Sequence, residues 1–211
     1  MSTTAFITHC WKKARLEALP ALLAVCLLLL APRVPWAQSV AEVGQLRLER
    51  AGDSLLLSAS VRLDLPQVVE DALHKGVPIF FVAEAELLRE RWYWADKKVA
   101  GATRYVRLAF HPLTRRWRLS GGAQAPNGEA AGALSRSFDT LEDALGAALR
   151  ITGWRLGEVG PLEADARYRL EFSFKLDASQ LPRPLQIGVL GQSDWNIAAS
   201  ASQKFAPGAL R

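Results

Sequence analysis

Cysteine is nearly missing from this chain, and where it occurs it is confined to the start. Among 211 residues there are two cysteines, Cys10 and Cys26, and three histidines, His9, His74 and His111. Neither His74 nor His111 sits in a zinc-ligand spacing such as H-E-x-x-H, and no glycine-rich phosphate loop is present, so the sequence calls for no metal and no cofactor. A membrane-length apolar run is lacking as well. The run Leu19 to Ala31 has 13 uncharged residues, against the roughly 20 that a spanning helix needs.

What the start does contain is the layout of a secretory signal peptide. Lys12, Lys13 and Arg15 supply a positive region, Leu19 to Ala31 the apolar core, and Pro32 ends the helix. Ala37 then offers a small residue before Gln38, so cleavage is expected between them and residues 1–37 are read as a presequence. The alternative is an uncleaved N-terminal anchor, with the inner membrane reached through that segment alone. A lipoprotein start fits less well, because Cys26 lies in the middle of the apolar run.

Removing the presequence changes the charge argument. Lys12, Lys13, Arg15, Arg33 and Glu17 leave with it, which takes 26 basic and 21 acidic residues to 22 and 20, a net charge of +2. The high isoelectric point therefore gives little support to nucleic-acid binding, and no nucleic-acid partner is expected. Both cysteines leave too. A periplasmic domain without a disulfide rests on its own hydrophobic core, and residues 38–205 are long enough to bury one as a single domain, followed by a frayed tail at 206–211.

Period-two patterning organises most of that domain. Val40 to Glu49 and Ser54 to Leu63 predict a hairpin around Arg50-Ala51-Gly52-Asp53, with Leu46 facing Leu57 and Leu48 facing Leu55. Leu65, Val68, Val69, Ala72 and Leu73 then mark one stripe of a short helix, with Asp64 as its cap, Pro66 in its first turn, Gly76 at its end and His74 facing water. A second stripe, Leu141, Ala144, Leu145, Ala148 and Leu149, follows a short strand at Ala133 to Phe138 and a capping box of Asp139 and Glu142. Between them, Gly121 to Gly132 reads as a mobile loop. Strand, helix, glycine, strand occurs twice, which fits either a duplication or two ordinary amphipathic helices packing on a sheet. Arg167 to Asp177 alternates without a break. Pro182 and Pro184 confine Leu185 to Leu190 to an edge strand or a strand start, and Asp194 opens a last strand with Trp195, Ile197, Ala199 and Ala201 on one face.

The central meander runs from Val77 to Gly121. Its first strand is read as Ile79 to Trp94, long enough to bend across a core. With Pro112 to Arg115 as a hairpin loop, Phe110 lies opposite Trp117 and Leu108 opposite Leu119, and Tyr105, Arg107, Arg116 and Arg118 are forced onto the other face. Pairing Trp92 with Tyr105 puts Glu90 opposite Arg107, with Trp94 beside them. The expected architecture is α+β: eight or nine mostly antiparallel strands in a curled sheet or two-layer sandwich, with two short helices.

The exported start, the strand pair, Asp71-Ala72-Leu73-His74-Lys75-Gly76-Val77-Pro78 before a long strand, Arg116-Trp117-Arg118 after a tight hairpin, Leu181-Pro182-Arg183-Pro184-Leu185-Gln186 and Asp194-Trp195 carry a resemblance. On them the chain resembles an uncharacterised proteobacterial exported family, a domain of unknown function, over nearly the whole mature length. The family has no assigned activity, so the resemblance transfers no catalytic residue. Its members are often encoded beside a membrane sensor histidine kinase of the nitrogen-regulation type, which implies a link to envelope signalling.

Catalysis has little to rest on. Gly191-Gln192-Ser193-Asp194-Trp195 begins like a nucleophile elbow but lacks the final glycine, and Ser173 and Lys175 share a face of a regular strand, where solvated side chains are the ordinary outcome. The functional reading is therefore a non-enzymatic periplasmic interaction module. Its candidate surface is Trp92, Trp94, Tyr105, Arg107, Arg116 and Arg118, suited to an envelope protein or another acidic or phosphate-bearing partner. The plain alternative is a solvated sheet face on which Glu84, Glu86 and Glu90 neutralise the arginines. A second binding hypothesis is a small apolar-ligand carrier, with a lipid-like molecule inside the curled sheet; a small hydrolase comes third.

Mass spectrometry of the protein from the periplasmic fraction is expected to find Gln38 as the first residue. Recovery of a chain that keeps Met1 to Ala37 in the membrane fraction would favour the anchored form instead.

Overall fold

Alternation of apolar and polar side chains builds two antiparallel sheets that face each other. The computed structural model describes residues 41–122, 134–158, 160, 162–163, 166–183, 185–186 and 193–205. The presequence 1–37, nearly all of the Gly121 to Gly132 loop, most of Leu185 to Leu190, Gly191 and Gln192, and the tail 206–211 lie outside these residues. The strands are β1 (Ala41–Ala51), β2 (Ser54–Leu63), β3 (Ile79–Arg89), β4 (Lys97–His111), β5 (Arg116–Gly122), β6 (Leu134–Phe138), β7 (Arg150–Glu158), β8 (Tyr168–Leu176) and β9 (Ala198–Phe205). Two short helices, α1 (Gln67–His74) and α2 (Leu141–Leu149), join them. The smaller sheet has the order β1-β2-β7 and the larger β6-β5-β4-β3-β8-β9, an α+β sandwich that does not close into a barrel. No helix among the described residues is long and apolar enough to cross a membrane.

The core lies between the sheets. Ile79, Phe81, Ala83, Ala85 and Leu87 of β3 are all buried, as are Tyr168, Leu170, Phe172, Phe174 and Leu176 of β8. Large residues stand beside small ones, Phe174 opposite Ala83 and Phe172 opposite Ala85, so adjacent strands fill the layer without crowding. Phe81 stacks on Phe174 with ring centres 5.3 Å apart. From the smaller sheet Leu55, Leu57, Ala59, Val61 and Ile151 complete the same core. Helix α2 bridges the layers, touching β2 and β7 of one sheet and β4, β5 and β6 of the other, with Ala144, Ala148 and Leu149 buried.

The β4–β5 hairpin has the expected register, Phe110 opposite Trp117 and Leu108 opposite Leu119. Other expectations are corrected. The first hairpin turns at Gly52-Asp53, with Gly52 at φ 62, so Ala51 pairs with Ser54, Leu48 with Leu57 and Leu46 with Ala59; the faces are kept and the partners move by two. Asp64 does not cap α1, whose first turn starts from Pro66 without a side-chain cap. The other end closes as expected at Gly76, φ 84: its N–H donates to Leu73 O (2.8 Å) and that of Val77 to Ala72 O (3.0 Å). Val68 is exposed, which narrows the buried stripe of α1 to Val69, Ala72 and Leu73. His74 is exposed as expected, with one side of its ring edge-on to Phe110 and Trp117 at 5.4 and 5.3 Å.

The cap of α2 is Thr140 rather than Asp139: its Oγ1 accepts from Asp143 N at 3.1 Å and donates to Asp143 Oδ2 at 2.7 Å. Gly153 does not end α2 as Gly76 ends α1. The helix passes directly into β7, and Gly153, φ 59, makes an irregularity inside that strand where its N–H reaches Ser58 Oγ at 3.2 Å. Leu185 and Gln186 belong to a helical turn, their N–H groups donating to Pro182 O, instead of opening a strand. The last strand starts four residues later than expected, at Ala198, after a short 3-10 turn at Ser193–Trp195, yet Trp195, Ile197 and Ala199 are buried as predicted.

Trp117 is 4% exposed and packed against Phe110. Trp117→Ala is expected to cost about 3–5 kcal/mol in urea unfolding, the range for emptying a buried aromatic site; a loss well below 1 kcal/mol would place the ring outside the core.

Candidate functional site

Strand β3 stops at Arg89, opposite Lys97, and the chain leaves the sheet through residues 90–96. Trp92 and Trp94 are therefore on a projecting loop and not on the strand predicted to run to Trp94. The pairing of β3 with β4 is displaced by ten residues from the expected one: Val82, not Trp92, faces Tyr105, and Phe80, not Glu90, faces Arg107. At roughly 3.3 Å per residue, the aromatic loop and Arg107 are about 33 Å apart along the sheet. The six predicted binding residues thus separate into two groups.

One group is the outer face of β4 and β5. Tyr105 is half-buried between Gly122 and Val82, and Arg107 lies with its guanidinium 5.8 Å from the centre of the Phe80 ring. Arg116 is held by Asp139, with Nη2 2.6 Å and Nε 3.1 Å from Oδ1. Arg118 is exposed and has no acidic partner among the described residues. The glutamates expected to neutralise these arginines bind other cations: Glu84 takes Lys175 at 3.2 Å, Glu86 takes Lys98 at 2.6 Å, and Glu90 takes Lys204 at 3.0 Å. Lys175 is thereby occupied with Glu84 rather than with Ser173.

The other group is the loop itself. Trp92, Tyr93 and Trp94 are 92%, 72% and 71% exposed, three consecutive aromatic side chains in water. Trp92 and Tyr93 support each other edge-to-face at 4.9 Å. The base of the loop is fixed by polar contacts. Asp96 Oδ1 accepts from the N–H of Arg91 at 3.3 Å, while Oδ2 binds the guanidinium of Arg169 on β8. Glu90 N–H donates to Arg167 O at 2.9 Å, and the Glu90 carboxylate lies 3.9 Å from Arg169. Arg169 Nε is 3.1 Å from Glu171 Oε1, an ion pair without the alignment of a hydrogen bond. A partly buried arginine among three carboxylates makes a rigid footing, because truncating it would leave charge uncompensated.

Beside the aromatics the surface opens into a cleft of about 940 Å³ that contains Arg89, Arg91, Arg167 and Arg169 with Glu90, Asp96 and Glu163. Arg89 is bound by Glu163 and Arg169 by Asp96. Arg91 and Arg167 are exposed and have no carboxylate partner among the described residues. Rigid aromatic area next to unpaired guanidinium groups is the composition of a binding hot spot.

Sequence reasoning named Trp92 and Trp94 but missed Asp96, Arg167 and Arg169. The available signal was Trp92-Tyr93-Trp94 itself: three large rings in succession cannot all face one side of a strand, and Asp96 after them is a turn residue. Among the described residues no group of three or more His, Cys, Asp or Glu side chains is placed to hold a metal ion. No curated protein and no solved structure matches the chain. A family model described as Domain of unknown function (DUF4390) matches residues 38–205, and the chain belongs to that family.

Proposed function

We propose that this domain is an exported, non-enzymatic interaction module of the periplasm, which docks an acidic segment of an envelope protein on the loop 90–96. The observation that carries the reading is the exposure of Trp92, Tyr93 and Trp94 on a pinned loop. Large apolar rings kept in water by a fixed backbone gain their burial only from a partner. The unpaired Arg91 and Arg167 beside them set its sign. A membrane sensor of the kind encoded beside members of the exported family that this sequence resembles is a natural recipient, with the domain as its accessory. An uncleaved presequence would hold the same domain at the inner membrane, close to such a sensor.

The alternative of a small apolar-ligand carrier has no comparable observation behind it. The side chains that would surround a lipid-like molecule between the sheets, Phe81, Phe172, Phe174, Leu87 and Leu170, are fully buried and pack on one another.

The direct test is recovery of partners from envelope extracts by the wild type, a Trp92→Ala/Trp94→Ala variant, an Arg91→Ala/Arg167→Ala variant and an Arg107→Ala/Arg118→Ala control. One protein retained by the wild type and the control, and bound about 30-fold more weakly without the two tryptophans, is the expected result; ~2 kcal/mol at a hot spot corresponds to that factor. Its binding should weaken with added salt, since exposed charges are screened beyond about 8–10 Å. Equal recovery by all four, or loop-dependent binding to protein-free lipid vesicles instead, would overturn the docking reading.

A further inference from the structure

A second cationic site lies on the other side of the larger sheet. Arg104 of β4, Arg136 of β6 and Arg150 at the start of β7 line one open cleft of about 700 Å³ along α2. Arg104 is opposite Ala83, on the inner face that Val106 and Leu108 share, and is only partly solvated. Arg136, opposite Leu119, belongs to the same face at its outer margin, with its guanidinium 5.2 Å from the centre of the Phe138 ring. Three arginines from three strands thus border one cleft, Arg136 and Arg150 exposed and Arg104 partly buried. An arginine on the core face of a sheet is costly unless its charge is met by an opposite one. Among the described residues none of the three has a carboxylate within ion-pairing distance, whereas Arg89 and Arg169 in the cleft beside the aromatic loop each have one.

The two acids that share the cleft do not fill this role. Asp143 is occupied by the Thr140 hydroxyl at the head of α2, and Glu142 stands in the first helical turn, where free N–H groups already favour negative charge. The helix wall opposite the arginines is made of small residues, Gly146 and Ala147. A side-chain carbon added at Gly146 would meet nothing within 4 Å. The cleft is therefore both charged and roomy.

We propose that this cleft binds a phosphate group, gripped by Arg104, Arg136 and Arg150, with the Thr152 hydroxyl at its border. A phosphate suits three planar forks better than a carboxylate does, because it offers more acceptor oxygens and more negative charge. The chemistry is common to a soluble phosphate compound and a phospholipid headgroup, and the experiment separates the two. The site shares no residue with the loop 90–96, so it stands or falls independently of the docking reading.

Inorganic phosphate is titrated into the whole protein while the arginine Nε–H resonances are followed by NMR. Saturable shifts at Arg104, Arg136 and Arg150 are expected. Arg104→Gln should weaken binding at least tenfold, roughly the effect of losing one charge-assisted hydrogen bond. Gly146→Leu should do the same by filling the cleft with no change of charge, and a helix accepts leucine more readily than glycine, so this variant tests the site even where Arg104→Gln fails to fold. Arg118→Gln, on the opposite face, should bind as the wild type does. In a second arm the protein is sedimented with vesicles of phosphatidylglycerol in phosphatidylcholine. Co-sedimentation that free phosphate and Gly146→Leu both abolish assigns the site to a lipid headgroup, and saturation by phosphate without co-sedimentation assigns it to a soluble ligand. No saturable binding in either arm, wild-type binding by Gly146→Leu, or equal weakening by Arg118→Gln overturns the proposal.

Discussion

Ile79, Phe81, Ala83, Ala85 and Leu87 lie on a strand that is hydrogen-bonded on both sides, to β4 and to β8, and all five are shut away from water. A slip of one residue would turn Glu84 and Glu86 into the core in place of Ala83 and Ala85, burying carboxylates that now meet lysines at the surface. The neighbours inherit the constraint. Once β3 is set, Leu108 and Val106 of β4, and Phe172 and Phe174 of β8, have one face available to them, and the smaller sheet must close over that face. The two helices then cover what the sheets leave open.

The faces of strands were legible in the sequence because alternation is a local property, set by the pleat of each strand alone. Registers were legible only where a short turn fixed them. Pro112 to Arg115 fixes the β4–β5 pairing, while the connection after β3 has the composition of a strand because Trp92, Tyr93 and Trp94 are strong strand formers. In the structure no described neighbour covers those rings, and propensity loses to the bend at Trp92–Trp94. One misplaced boundary moved the partner of Tyr105 by ten residues and brought together arginines and tryptophans that the fold keeps apart. The same limit explains Thr140: Asp139 and Thr140 are both good caps, and in the fold Thr140 caps the helix while Asp139 pairs with Arg116 from β5.

Charge in this domain is arranged by how completely it is answered. Arg169 is surrounded by carboxylates and serves the fold; Arg116 has one partner; Arg91, Arg167, Arg104, Arg136 and Arg150 have none among the described residues. A sequence counts these arginines alike. Their difference depends on long-range pairing, which places Asp96 beside Arg169 although the two are far apart in the chain.

The footing and the tip of the loop 90–96 draw their energies from different sources. Asp96 is secured by β8, whereas the rings of Trp92 and Trp94 contribute almost nothing to the core. Selection can therefore act on the two independently. Replacements at the tip remove little buried surface and are expected to leave the folded population unchanged, while a replacement at Asp96 or Arg169 is felt by the whole domain. The loop is in this sense a separable tip on a fixed mount, whose side chains can be exchanged without passing through an unstable intermediate.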